Sequence, residues 1–118
     1  MIDPRPLLAD ARERVGRRIT ELTEVFDEIV ESSAAANLDD EHDPEGATVA
    51  FERTQVAALL DQARAQLADL DDAEDRRRRG VYGVCEQCGE PIAAARLEAQ
   101  PAARRCVRCA RLPTGPTA

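Results

Sequence analysis

Residues 85–109 read CEQCGEPIAAARLEAQPAARRCVRC, and the four cysteines in this stretch decide how the chain is organised. Cys85 and Cys88 form one Cys-x-x-Cys pair and Cys106 and Cys109 a second, with 17 residues between the pairs. Each pair forms a tight knuckle that offers two thiolates to one ion. The spacing lets the two knuckles face each other and complete a tetrahedral four-cysteine zinc site. Gly89, directly after the first pair, allows the positive φ that such turns need. Because the protein fills all four positions, no place remains for an activated water, and one structural Zn²⁺ is expected. Two disulfides are the competing reading, disfavoured without a secretory signal. A thioredoxin-like redox pair would need a βαβ pattern, and none surrounds either motif.

Upstream of the cysteines the pattern is helical. Leu8, Val15, Leu22 and Ile29 recur every seven residues, with Ala11, Arg18, Val25 and Ser32 three positions after each. This is a heptad seam, imperfect at Arg18 and Ser32, and Arg18 is read as snorkelling from it. Asp3-Pro4 supplies a cap followed by a proline at the first helical position, which predicts a helix over about residues 5–35. A second seam follows at Val56, Leu60, Ala63, Leu67 and Leu70, and Asp43-Pro44 repeats the start signal. Arg76, Arg77, Arg78 and Arg79 fill the last turn, where cations suit the helix dipole, and Gly80 ends it. The fold class predicted is mainly α: an antiparallel two-helix coiled-coil hairpin with a small four-cysteine zinc finger at its base. The hairpin spans 1–79, with an acidic tip at 37–47 (NLDDEHDPEGA). The finger spans 80–112, and 113–118 forms a flexible tail. At 1.5 Å per residue each helix is on the order of 45 Å long, so the tip lies far from the finger.

Composition narrows the function. The 118 residues include 33% charged and 3% aromatic side chains and no Trp, which suits long helices with a narrow seam rather than a large core. Every Lys or Arg position is Arg, and the charge is uneven. Residues 1–75 carry 20 acids and 7 arginines, a net −13, and residues 76–118 carry 3 acids and 9 arginines, a net +6. An acidic front and a basic rear argue against non-specific DNA binding by the whole surface, since most of it repels phosphate. Without interleaved aromatics or a recognition-helix pattern, no sequence-specific DNA binding is expected. Such a chain fits docking at two places on a large, electrostatically varied partner. No apolar run approaches the roughly 20 residues of a membrane span. The N-terminus lacks an apolar signal segment, so a cytoplasmic monomer is expected. No nucleophile–base set or glycine-rich phosphate loop occurs, and no enzymatic activity of its own is expected.

The finger resembles a known family. Tyr82-Gly83-x-Cys85-x-x-Cys88-Gly89-x-x-Ile92, then Arg96-Leu97-Glu98-Ala99-x-Pro101, then Cys106-x-x-Cys109, is similar to the finger of the DksA/TraR C4-type zinc-finger proteins over about residues 81–110. The resemblance implies a bacterial regulator of transcription that binds RNA polymerase. In that family the finger docks at the rim of the secondary channel, and the coiled coil carries an acidic tip toward the catalytic centre to modulate initiation. The family tip pattern is Asp-x-x-Asp-x-Ala. Counting back from Cys85 without gaps places Ala47 on the alanine, Glu45 on the second acid and His42 on the first. A shift of one places Asp43 on the first acid. Asp43, Glu45 and Ala47 are therefore the tip candidates, although Asp43 also serves as a helix cap. Members that respond to guanosine tetraphosphate grip its phosphates with basic residues. Here those positions hold Asp69, Gln100 and Ala110, and the chemistry counts against that co-regulator.

The candidate docking residues are Arg76, Arg77, Arg78, Arg79, Arg104, Arg105 and Arg108, with Arg111 in the same cluster. Their plainer reading is favourable charge at a helix end and a solvated face. The alternative function is a zinc-finger adaptor that binds another protein or nucleic acid through the coiled coil or these arginines. Transcript cleavage assisted inside polymerase is a minor variant of the first reading.

Overall fold

Asp3 sets the start of the first helix. Its carboxylate accepts the backbone N–H of Arg5 at 3.0 Å, and α1 runs Pro4–Ala36. α2 runs Pro44–Arg78 and ends on three arginines. The computed structural model describes residues 2–36 and 44–112, with side chains described up to residue 32 and again from 47. Pro44 opens α2 as the sequence predicts, while its expected cap, Asp43, lies outside the described residues. At the other end Gly80 takes φ 78°. Its N–H donates to Arg77 O at 3.0 Å, and that of Val81 donates to Arg76 O at 2.9 Å. This is the paired 5→2 and 6→1 closure for which glycine is favoured at a helix end. Two short helices follow, α3 at Ala94–Ala99 and α4 at Val107–Ala110.

The helices bury a narrow row of alternating large and small side chains. Leu8 and Ala11 on α1, and Leu60 with Ala63 and Leu70 with Ala73 on α2, are all buried. Each pair is Leu-x-x-Ala, so a leucine and a small residue lie one turn apart on the same helix face. The second seam holds as read, with Val56 and Leu67 half-buried. The first seam changes register after Val15. Arg18 is exposed and Val25 is 42% exposed, while Ile19 and Phe26, one position on, are half-buried with Leu22 and Ile29. The physical reason is that a straight helix repeats every 3.6 residues, so its buried stripe drifts from a strict seven-residue seam. Ile19 and Phe26 then offer larger apolar area than Arg18 and Val25.

The chain divides into two compact units that do not part at residue 80. One comprises Met1–Glu13 with Ala68–Ala118, and the other Arg14–Leu67. The first unit therefore unites the start of α1, the end of α2 and the cysteine-bearing segment. Within it the helices run antiparallel: Arg12 Nη2 meets Asp71 Oδ1 at 2.8 Å, and Arg77 helps hold the carboxyl of Asp3 below its ordinary value, after the closer Arg5. The finger's core is Cys85, Ile92, Leu97, Ala103 and Cys109, with Ile2, Tyr82 and Cys106 packed against it.

A segment without regular structure leads to the second cysteine pair. Residues 101–105 form no helix or strand, so each backbone carbonyl needs a partner from elsewhere. Every one has it. Tyr82 Oη donates to Pro101 O at 2.7 Å, and Arg76 Nη2 and Nη1 donate to Ala102 O at 3.2 Å and Ala103 O at 3.5 Å. The N–H of Glu86 donates to Arg104 O at 2.9 Å, and Arg96 Nε donates to Arg105 O at 2.8 Å. Arg76 is only 6% exposed. It lies three residues beyond Ala73, and its Nε reaches the carboxylate of Asp72 at 3.6 Å. Replacing it should leave two carbonyls without donors. Arg76→Met is expected to destabilise the zinc-loaded protein by about 1–3 kcal/mol, read from the denaturation midpoint in urea. An unchanged midpoint would show that the carbonyls find other donors.

Candidate metal centre

The first cysteine pair sits on a small hairpin. An isolated antiparallel bridge joins Val84 to Pro91. The N–H of Cys85 donates to Glu90 O at 2.8 Å, and that of Ile92 to Gly83 O at 2.7 Å. Gly89 turns the chain with φ 77°, the left-handed conformation expected just after the knuckle. The second pair sits at the start of α4. Cys106 is its extended N-cap, Cys109 lies inside it, and the N–H of Ala110 donates back to Cys106 O at 2.9 Å.

These two supports bring all four sulfur atoms within 4.8 Å of one another. Cys88 Sγ and Cys106 Sγ are 3.9 Å apart. A tetrahedral zinc with Zn–S bonds near 2.3 Å needs sulfurs about 3.8 Å apart, so the set fits one zinc ion. Cys85 and Cys109 are buried, Cys106 is half-buried and Cys88 is exposed. All four places are thiols, which makes the site a structural one.

The electrostatics show what an ion adds. Burial works to raise the Cys85 thiol, but the N–H groups of Cys88, Cys106 and Gln87 outweigh it and bring it down to about 6. The N–H of Cys109 likewise lowers Cys106. Cys109 is pushed up to about 12, first by burial and then by the neighbouring thiols. The backbone thus prepares two thiolates, and crowding opposes the fourth. A bound dication reverses that balance and leaves coordinating thiols deprotonated. Arg108 shares in the balance: its hydrogen bond to Cys88 and the charge of that thiolate hold its own pKa above the usual value.

The sequence-predicted residues separate into distinct groups. The four cysteines come together as expected. Arg76 is interior, and its guanidinium is spent on the carbonyls of 102 and 103, so it is not a surface contact. Arg77 hydrogen-bonds Glu74, Arg78 approaches the same carboxylate at 3.6 Å, and Arg79 pairs with Asp75 at 3.1 Å. Arg104 pairs with Asp72 at 2.7 Å and reaches Asp69 at 3.8 Å. Arg105 offers its carbonyl to Arg96, while Arg108 and Arg111 are exposed. Of the tip residues, Asp43 and His42 lie outside the described residues. Glu45 falls in the first turn of α2, its side chain likewise outside, and Ala47 is exposed on α2. Gln100 and Ala110 are exposed. Tyr82, Arg96 and Asp72 hold the site in ways that spacing did not reveal, because each acts through a backbone carbonyl or through another arginine.

Removing one ligand should break the site. Native mass spectrometry is expected to show one zinc in the parent chain and none in Cys106→Ser. Acidification should also release the ion, because protons compete for the thiolates. Apparent zinc affinity should therefore fall steadily as pH is lowered. Retention of zinc by Cys106→Ser would contradict a four-thiolate centre.

Comparison with known proteins agrees with this geometry. Residues 80–113 match the prokaryotic dksA/traR C4-type zinc finger. An uncharacterised protein of Aquifex aeolicus is 46% identical over 46 residues, covering 39% of this chain and 32% of its own. The RNA polymerase-binding transcription factor DksA of Caulobacter vibrioides is 47% identical over 47 residues, covering 40% of this chain and 33% of its own. The chain thus spans about a third of the length of these relatives. The structure of the transcription factor DksA2 from Pseudomonas aeruginosa superposes with a TM-score of 0.56 at 25% identity, covering 89% of this chain and 81% of that one. Four converging thiols thus stand in a segment, residues 80–113, that matches the dksA/traR C4-type zinc finger, and the chain as a whole is similar in fold to DksA2.

Proposed function

We propose that the chain is a transcription regulator that binds RNA polymerase and modulates initiation by inserting its acidic coiled-coil tip through the secondary channel. The observation that carries this reading is the finger. Residues 80–113 match the family model, and the overlapping Caulobacter relative is named as RNA polymerase-binding. The likeness to DksA2 extends support beyond the finger, since it covers 89% of the chain. In this reading zinc fixes the finger, the finger docks, and Asp43, Glu45 and Ala47 act at the tip. The protein works as a cytoplasmic monomer and carries out no reaction of its own. Among the described residues no helix is long and apolar enough to cross a membrane.

Guanosine tetraphosphate has no part in this proposal. Asp69 faces Arg104 at 3.8 Å, so an acid stands at a position where responsive members place a cation. Its carboxylate would repel a phosphate.

Run-off transcription with purified bacterial polymerase tests the reading. The parent chain is expected to change transcript yield, with or without added guanosine tetraphosphate. Asp43→Ala/Glu45→Ala should still bind polymerase and lose the effect. A parent chain that neither binds polymerase nor alters the yield would refute the proposal and favour the adaptor alternative.

A further inference from the structure

The four thiols of the metal centre are not held alike. Cys85 and Cys109 are buried, Cys106 is half-buried and Cys88 is exposed. The Cys85 sulfur accepts the backbone N–H groups of Cys88, Cys106 and Gln87, and Cys106 accepts that of Cys109. Backbone donors of this kind are fixed once the knuckles have folded. Cys88 takes a donor from a side chain, because the guanidinium of Arg108 hydrogen-bonds its sulfur. That donor comes from the other knuckle. Arg108 lies between Cys106 and Cys109 on α4, and Cys106 Sγ is 3.9 Å from Cys88 Sγ. The exposed ligand of the first pair is therefore held by a residue of the second.

The charge of Arg108 is available for this task. Arg76, Arg77, Arg79 and Arg104 pair with carboxylates, and Arg96 donates to the carbonyl of Arg105. Among the described residues no carboxylate pairs with Arg108. The thiols of Cys88, Cys106 and Cys109 all act on its charge instead. Four thiolates around one dication leave two negative charges in a partly buried place, which is costly without a compensating partner. A guanidinium at the exposed edge offsets part of that excess, and its planar fork of donors fixes the direction of the sulfur it holds. Arg111 is also an exposed cation just beyond the second pair, but among the described residues its side chain has no hydrogen bond to a thiol.

We infer that Arg108 is an outer-shell positioning residue of the zinc site, clamping the exposed Cys88 thiolate and so slowing loss of the ion. This rests on the four-thiolate centre described above. Loss begins when one ligand lets go, and the exposed sulfur is the one that solvent or a chelator reaches first. The buried ligands are shielded by the fold, so the hold on Cys88 controls retention. Outer-shell partners contribute roughly 10–100-fold to metal affinity.

Transfer of zinc from the full, zinc-loaded chain to an excess of chromogenic chelator tests this. Arg108→Ala is expected to release the ion about tenfold faster than the parent, or more. Arg108→Lys keeps a cationic donor and should restore most of the retention. Arg111→Ala removes the same charge nearby and should release zinc at the parent rate. Loading with Co²⁺ adds a spectroscopic readout. The bands of a tetrahedral four-thiolate ion should persist in Arg108→Ala, while the sulfur-to-cobalt charge-transfer band moves to lower energy as the thiolate loses its hydrogen bond. Parent-like release with an unmoved band overturns the clamp and leaves the four-thiolate centre standing. Equal acceleration by Arg111→Ala assigns the effect to net charge and also overturns it. If Arg108→Ala takes up no metal, Arg108→Gln and Arg108→Lys carry the comparison: faster release from the Gln variant supports the clamp, and equal rates overturn it. A parent chain that takes up no zinc overturns the centre and the clamp together.

Discussion

The structure depends on five consecutive carbonyls. Residues 101–105 must carry the chain to Cys106 without helix or strand, and an unpaired buried carbonyl is costly. Tyr82, Arg76, Glu86 and Arg96 supply the donors. They come from the end of α2, the first knuckle and α3, so one segment ties three elements together. Only when this segment is placed do Cys106 and Cys109 arrive opposite Cys85 and Cys88. The backbone N–H groups and the thiols then produce a site that favours two thiolates and strains against four. A dication removes that strain.

The arginines show how charge is divided by geometry. From composition, nine arginines in residues 76–118 look like one basic field. In the structure most are occupied. Arg76 is interior, Arg77 and Arg79 are held to acids one turn back on their own helix, and Arg104 reaches across to Asp72 and Asp69. Pairs between exposed groups contribute little to stability, but they reduce the charge left to attract a partner. What remains is at Arg105, Arg108 and Arg111, around the second cysteine pair. Net charge alone could not locate it.

Much of the architecture followed from sequence because it rests on local rules. Asp3-Pro4, Pro44 and Gly80 mark helix ends through backbone geometry, and all three hold. The Cys-x-x-Cys pairs announce their chemistry by spacing, and Gly89 its turn by φ. The first seam was harder. Leu8, Ala11 and Val15 follow the heptad, but the buried stripe then drifts to Ile19 and Phe26, a consequence of helical pitch that a strict seven-residue template misses. The place of Arg76 was not readable from local rules. Four arginines at a helix C-terminus look alike until tertiary contacts bury one of them. Tyr82, Arg96 and Asp72 were hidden for the same reason: their partners are 26 or more residues away, or are carbonyls that have no side-chain signature.

The dependence of the helix end on the metal-held segment can be measured directly. Hydrogen exchange of the full chain, with zinc bound and after its removal by chelation, reads backbone protection residue by residue. Loss of zinc should accelerate exchange across residues 102–110 and in the last turns of α2, residues 72–79, while residues 56–67 keep their rates. Opening of the cysteine segment with unchanged protection at 72–79 would contradict a helix end held through Arg76 and the carbonyls it engages.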